Sequence, residues 1–205
     1  MKTENQKVLK VKVTFLDEAL GMTPSDPNIV REYIASKAPD AKTLEDEVAA
    51  VGIDETVQKG KTVFPRHEGK PVWYNYQIKG AFKDACRMLW RVKGTRSNKL
   101  KASIKVIDGA IFVQPRHIPI NIPDGAALGD CQRPLRVSDA AGERVCLANS
   151  ETVPPGSWFE FEVVLLDAAH ESVVREWLEY WQLRGLGQWR NSGKGIATCE
   201  VSVSE

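Results

Sequence analysis

The sequence predicts an α+β domain, and three observations carry that prediction. Alternating strands open and close the chain, two segments between them have helical period, and a long proline-broken stretch separates the first strand from the first helix. Val8 to Leu16 alternates, with Leu9, Val11, Val13 and Phe15 on one side and Lys10, Lys12 and Thr14 on the other, as a half-buried strand does. Residues 21–75 do not continue it. Pro24, Pro27, Pro39, Pro65 and Pro71 break this stretch, and only Asn28 to Lys37 and Thr43 to Val51 carry short helical patterns, so it reads as an insertion.

From Tyr76 the period becomes helical, with Ile78, Phe82, Ala85, Leu89 and Val92 on an apolar face. After Gly94, Thr95 to Lys101 is polar and basic without useful periodicity, which predicts an exposed loop or hairpin tip. Ala110 to Val113 and the alternation Ile118, Ile120, Ile122 predict strands, and residues 123–143 are rich in turn formers. Arg144 to Thr152 and Trp158 to Leu166 flank Pro154-Pro155-Gly156, which predicts a hairpin. Asp167 is placed to cap a second helix whose apolar face is Val173, Val174, Trp177, Leu178 and Trp181, Gly185 ends it, and Ile196 to Val203 is a last strand. This order suggests a ferredoxin-like sandwich. We therefore expect a single domain over residues 1–205, with a core of 7–20, 76–92, 104–122 and 144–205.

Composition narrows the function. With 205 residues, 42% hydrophobic and 27% charged, the chain is long enough for a substantial core. Its longest aliphatic run, Val163 to Leu166, is far below the ~20 residues that span a bilayer, and Met1 to Gln6 has no apolar signal region, so a cytoplasmic protein without membrane contact is expected. Cys86, Cys131, Cys146 and Cys199 are widely spaced and form no Cys-x-x-Cys, so free thiols are expected rather than a zinc site or disulfides, and no cofactor or metal is implied.

The net charge of +1 hides an asymmetry. Residues 1–60 hold 8 Lys and Arg against 11 Asp and Glu, residues 61–136 hold 15 against 5, and residues 137–205 hold 5 against 11. Within Lys79 to Lys105 nine cations face only Asp84. Lys79, Lys83, Arg87 and Arg91 recur at steps of four, beside Trp90, and so should line one side of the helix. Such a cluster is suited to phosphates, although many basic runs are simply solvated faces. Trp90 serves equally well as a core residue.

The most specific motif is Arg184-Gly185-Leu186-Gly187-Gln188-Trp189-Arg190-Asn191-Ser192-Gly193-Lys194-Gly195, a Gly-x-Gly pair, five residues, and a second Gly-x-Gly pair between a helix and the final strand. Glycine permits positive φ and close backbone approach, so the amides of this loop with Arg184, Arg190 and Lys194 could cradle a phosphate. The order is opposite to that of a dinucleotide fingerprint or an NTPase phosphate loop, both of which open a helix. A tight helix-to-strand connection is the competing account.

This glycine-rich loop before the last strand resembles the signature of the RAMP superfamily of CRISPR-associated RNA-binding proteins. Pro65 to Pro71 followed by Ile78-Lys79-Gly80-Ala81-Phe82-Lys83, and Glu151 to Phe159, are similar to the turn, helix start and late hairpin of its backbone-subunit branch; the three occur in the right order and cover about half of the chain. The resemblance implies a modified RNA-recognition-like core that grips a single RNA strand by its phosphates, with a thumb reaching the next subunit of a head-to-tail filament. Residues 93–103 are the expected thumb, with Lys99 and Lys101 as its cations. The implied RNA-binding set is Lys79, Lys83, Arg87, Arg91, Lys99, Lys101, Arg184, Gly185, Gly187, Gln188, Trp189, Arg190, Gly193, Lys194 and Gly195. Partners would be single-stranded RNA or DNA and other CRISPR-type subunits. A stand-alone phage or mobile-element protein that binds single strands or disturbs a host CRISPR complex is the alternative.

Some subunits of this branch cleave RNA with an Asp in a Gly-Ile-Asp context, and Gly52-Ile53-Asp54 matches it, giving a metal-dependent ribonuclease as a second alternative. The glycine-rich stretch expected just after the first strand is missing, and Gly52 reads equally well as a helix C-cap. Of His67, His117 and His170 only His67 falls in a plausible catalytic loop, and no partner for it is visible in the sequence. A non-enzymatic binder is the leading expectation.

Overall fold

The computed structural model describes residues 5–25, 61–139 and 142–203. The strands are β1 (Lys7–Phe15), β2 (Ala19–Leu20), β3 (Thr23–Pro24), β4 (Thr62–Val63), β5 (Arg66–His67) and β6 (Lys70–Tyr74), the last running directly into helix α1 (Asn75–Leu89). Helices α2 (Arg96–Lys99) and α3 (Ser103–Gly109) follow, then β7 (Ile111–Gln114), β8 (His117–Pro119), β9 (Gly129–Asp139), β10 (Gly142–Val153) and β11 (Trp158–Leu165). A 3-10 turn at Ala168–His170 leads into α4 (Glu171–Arg184), and another at Arg190–Ser192 precedes β12 (Ala197–Val203).

The central sheet has the order β12-β1-β11-β7, with each neighbouring pair antiparallel. Its strands alternate as their sequences demand: Leu9, Val11, Val13 and Phe15 of β1 and Phe159, Phe161, Val163 and Leu165 of β11 are buried on one face. Helices α1 and α4 supply the other half of the core with Ile78, Phe82 and Ala85, and with Val173, Val174, Trp177, Leu178 and Trp181. Phe82 lies 5.6 Å from the ring of Trp177 and stacks on Trp181 at 5.4 Å. Each large side chain buried in this way contributes about 1.5–3 kcal/mol. Asp167 accepts a hydrogen bond from the Ala169 amide at 2.9 Å, capping the turn before α4, and Gly185 ends the helix.

Two of the expected elements are rearranged. The strands on either side of Pro154-Pro155-Gly156 do not form a hairpin with each other: β10 pairs with β9, β2 and β4 in a second sheet, while β11 pairs with β1 and β7 in the first. The chain bends at Gly156, whose φ is +82°, and β11 takes an eight-residue register with β1 instead. The turn-rich stretch 123–143 correspondingly contains β9, and its ladder with β10 runs from Gly129↔Thr152 to Asp139↔Gly142.

Residues 93–103 are not a hairpin tip. They contain α2 and lead into α3, and they are fastened to α4: the Glu176 carboxylate accepts hydrogen bonds from the Ser97 amide at 2.9 Å and the Ser97 hydroxyl at 2.6 Å. Ser97 is fully buried and its Oγ in turn accepts from Trp177 Nε1 at 2.8 Å. Only 21–25 and 61–75 of the expected insertion are described; they form β3 to β6, and the helical patterns at Asn28 to Lys37 and Thr43 to Val51 lie outside the described residues. Among the described residues, no helix is long and apolar enough to cross a membrane.

Candidate nucleic-acid interface

The glycine-rich loop is a clamp built of backbone. Leu186 N donates to Gly195 O and Gly195 N to Glu18 O, both at 2.8 Å, which ties the end of α4 to the start of β12 and to the turn after β1. A Cβ at Gly195 would lie 1.8 Å from Leu186 O, and one at Gly187 would lie 2.6 Å from Leu20 O. Both residues also have positive φ, +72° and +84°, so only glycine meets both demands.

The cations of this loop are engaged inside the protein. Arg184 Nε and Arg190 both donate to Asp84 of α1, and Arg184 also reaches Asn191 Oδ1 at 2.9 Å. Lys194 Nζ is 2.8 Å from Glu18 and 3.4 Å from Asp17, and its bond to Glu18 holds its pKa above 10.5. Gln188 accepts from Arg133 of β9, whose guanidinium lies 5.7 Å from the ring centre of Trp189. Gly193 has φ +81° and closes the 3-10 turn.

The four cations at steps of four do not form one uniform stripe. Lys79 and Lys83 are half-buried: Lys79 Nζ donates to Asp108 O at 3.2 Å, and Lys83 bonds the Asp108 carboxylate at 2.6 Å. Burial, the largest influence on it, holds the Lys79 pKa below 10.5. Arg87 and Arg91 are exposed, Arg91 just beyond the end of α1. A groove of about 410 Å³ between α1 and the glycine-rich loop brings Tyr76, Lys79, Lys83, Gly187 and Arg190 together.

The C-terminal end of α1 gives a different surface. Trp90 is 56% exposed and Ile104 58% exposed, so Trp90 is not a core residue. Two adjoining grooves, of about 330 and 780 Å³, share Trp90, Ser103 and Ile104. Lys83, Arg87 and Arg91 line the first, and Lys99, Lys101 and Lys105 the second. Among the described residues, neither groove has an Asp or Glu in its lining. The open face of the central sheet, by contrast, sets Lys10 opposite Glu162 and Lys12 opposite Glu160 and Glu200, with Lys12 Nζ 4.9 Å from the Trp158 ring centre. Its charges are balanced in place.

Asp54 lies outside the described residues. His67, expected in an isolated turn, stacks on His117 with ring centres 4.0 Å apart. Sequence reasoning also passed over Tyr76, Arg133 and Arg116, the last 5.4 Å from the Tyr76 ring centre. The Pro65 to Pro71 turn was the available signal for the histidines, but the partnership depends on pairing of β6 with β8, which brings Tyr74 opposite His117.

No protein-family model matches the sequence, and no curated protein matches it significantly. Among solved structures, a chain from a structure described as the Type III-B Cmr-beta bound to cognate target RNA is similar, with a TM-score of 0.59 at 11% identity, covering 98% of this chain and 61% of that one. A chain from a Type IV-B CRISPR complex gives a TM-score of 0.47 at 14% identity, covering 95% and 90%. The first likeness is one of fold: an α+β architecture shared with a chain of the Type III-B Cmr-beta structure, of which this chain spans 61% of the length.

Proposed function

We propose that this chain is a RAMP-like subunit that binds single-stranded RNA, without reading its sequence, within a CRISPR-type ribonucleoprotein. The sheet order β12-β1-β11-β7, with α1 and α4 following the first and third strands, supports a ferredoxin-like core of the βαββαβ kind. The observation that carries the binding role is the paired groove around Trp90, lined, among the described residues, by five exposed cations and no carboxylate. Arg87, Arg91, Lys99, Lys101 and Lys105 neutralise phosphates there, and Trp90 offers a face to a base, the combination that single-strand binders use. The adjoining groove at Tyr76, Lys79, Lys83 and Arg190 is lined by Asp84 and Asp108 as well, which already engage its cations, so the phosphate surface ends short of the glycine-rich loop.

On this reading the protein is a binder rather than an enzyme, and its partners are single-stranded RNA and either further copies of itself, head to tail, or other subunits of a CRISPR-type complex. Arg87→Glu combined with Arg91→Glu should weaken binding of a single-stranded RNA about 100-fold at low salt and reduce the slope of log affinity against log salt by about 2. Unchanged affinity and slope in that titration would remove the Trp90 surface from the site. Sizing of RNA that co-purifies tests assembly: lengths in steps of a fixed footprint are expected, and a single short length would argue against a filament.

A further inference from the structure

Arg133 has an unusual charge balance. It is 5% exposed, at the base of the β9–β10 ribbon, and its guanidinium donates to Ser150 Oγ at 2.8 Å and to Gln188 Oε1. Ser150 Oγ is in turn 2.7 Å from Thr62 Oγ1, so the group is held by neutral oxygens. Among the described residues no carboxylate lies within ion-pair distance of it, and Glu151, the residue after Ser150, is taken up by Arg66. A buried cation held only by neutral partners bears a desolvation cost that an anion would offset.

The same guanidinium backs the indole of Trp189. Trp189 has φ +54°, a left-handed conformation that bulky residues rarely adopt, and it is 38% exposed. The loop thus holds a large aromatic in a strained conformation, partly in solvent and backed by a buried positive charge. A planar group attached to an anion suits both features at once. An unpaired nucleotide has that chemistry, and an apolar peptide side chain does not supply the charge.

We propose that Trp189 and Arg133 form a base-stacking unit for one nucleotide of the bound strand. The indole stacks on an unpaired base, and Arg133 acts as a positioning residue that fixes the indole and adds a positive field at the adjoining phosphate. This rests on the reading of the chain as a single-strand binder.

The test compares two labelled strands of equal length and phosphate number, an oligoadenylate and a strand of abasic ribose units, by fluorescence anisotropy with the full chain. The wild type should bind the base-bearing strand at least about tenfold more tightly. In a Trp90→Ala background, which removes the other aromatic offered to a base, Trp189→Ala should bring that ratio close to one while leaving the salt slope unchanged, Trp189→Phe should keep most of it, and Arg133→Gln should lower it with the circular dichroism of the fold retained. Equal binding of the two strands by the wild type, or a ratio in the Trp90→Ala background that survives Trp189→Ala, overturns the stacking unit while leaving strand binding in place. A wild type that binds neither strand overturns the proposed function, and the stacking unit with it.

Discussion

The glycine-rich loop and the end of α1 both carry arginine and lysine, yet they differ in the company those cations keep. Arg184, Arg190 and Lys194 turn inward to Asp84, Asp17 and Glu18, so the loop's charges fasten α4, α1 and the turn after β1 to one another. Around Trp90 the exposed cations Arg87, Arg91, Lys99, Lys101 and Lys105 line grooves that hold no carboxylate among the described residues, and their field is directed outward. The more conspicuous motif is therefore the more structural of the two, and the plainer basic run is the better candidate for phosphates.

The largest expected effect is on the loop. Gly195→Ala would put a Cβ within 1.8 Å of Leu186 O at a φ of +72°, and should cost on the order of 3 kcal/mol in urea unfolding. A loss well under about 1 kcal/mol would show that the clamp yields easily and weaken the contrast. Next, Arg184→Gln with Arg190→Gln should leave the RNA salt slope within about 0.5 of wild type, because those charges are already compensated, while lowering stability by about 1 kcal/mol. A fall in slope as large as that of the Arg87 and Arg91 pair would erase the distinction between the two regions.

The smallest effect concerns pH. Lys194 has a folded pKa raised above 10.5, chiefly by its bond to Glu18, so its stabilisation is complete below 10.5 and is lost as pH rises through the folded value. Lys194→Met should flatten the alkaline end of the stability profile above pH 10.5 and leave the profile near neutrality parallel to that of the wild type. Parallel curves at high pH as well would show that the ion pair makes no net contribution.

Much of the central layer was legible because its signals are local. The alternation in β1 and β11, the periodic faces of α1 from Ile78 to Leu89 and of α4, and the Asp167 cap each fall within a few residues, and the structure places them as expected, whereas Val92, expected on the same face as Ile78, lies beyond the end of α1 and is exposed. The second sheet was not legible in the same way. Nothing local says that Thr152 will pair with Leu20 or that Ser150 will lie beside Thr62, so β10 was assigned to the nearest strand in sequence, across Pro154-Pro155-Gly156. The short helix α2 escaped for a related reason: it is fastened by Glu176 and Trp177, about 80 residues away, rather than by its own periodicity, and α3 buries Ile107 alone in the core, too little to show as a helical face. At the candidate interface, the sequence supplied Arg87, Arg91, Lys99 and Lys101 through charge density. It could not show that Lys79 would reach the Asp108 carbonyl, or that Lys83, Arg184, Arg190 and Lys194 would meet carboxylates, because those meetings depend on tertiary contact.

The Ser97 junction has a consequence for how the basic surface behaves in time. The amides of Arg96 and Ser97 both donate to the Glu176 carboxylate, and the Ser97 hydroxyl accepts from Trp177 in the core. Deuterium reaches those two amides only when α2 leaves α4, so their exchange should slow towards that of the α4 backbone rather than match that of a surface loop. Lys99 and Lys101 are then displayed from an ordered support, and on the proposed function an incoming strand would meet a surface whose backbone entropy was already surrendered when the domain folded.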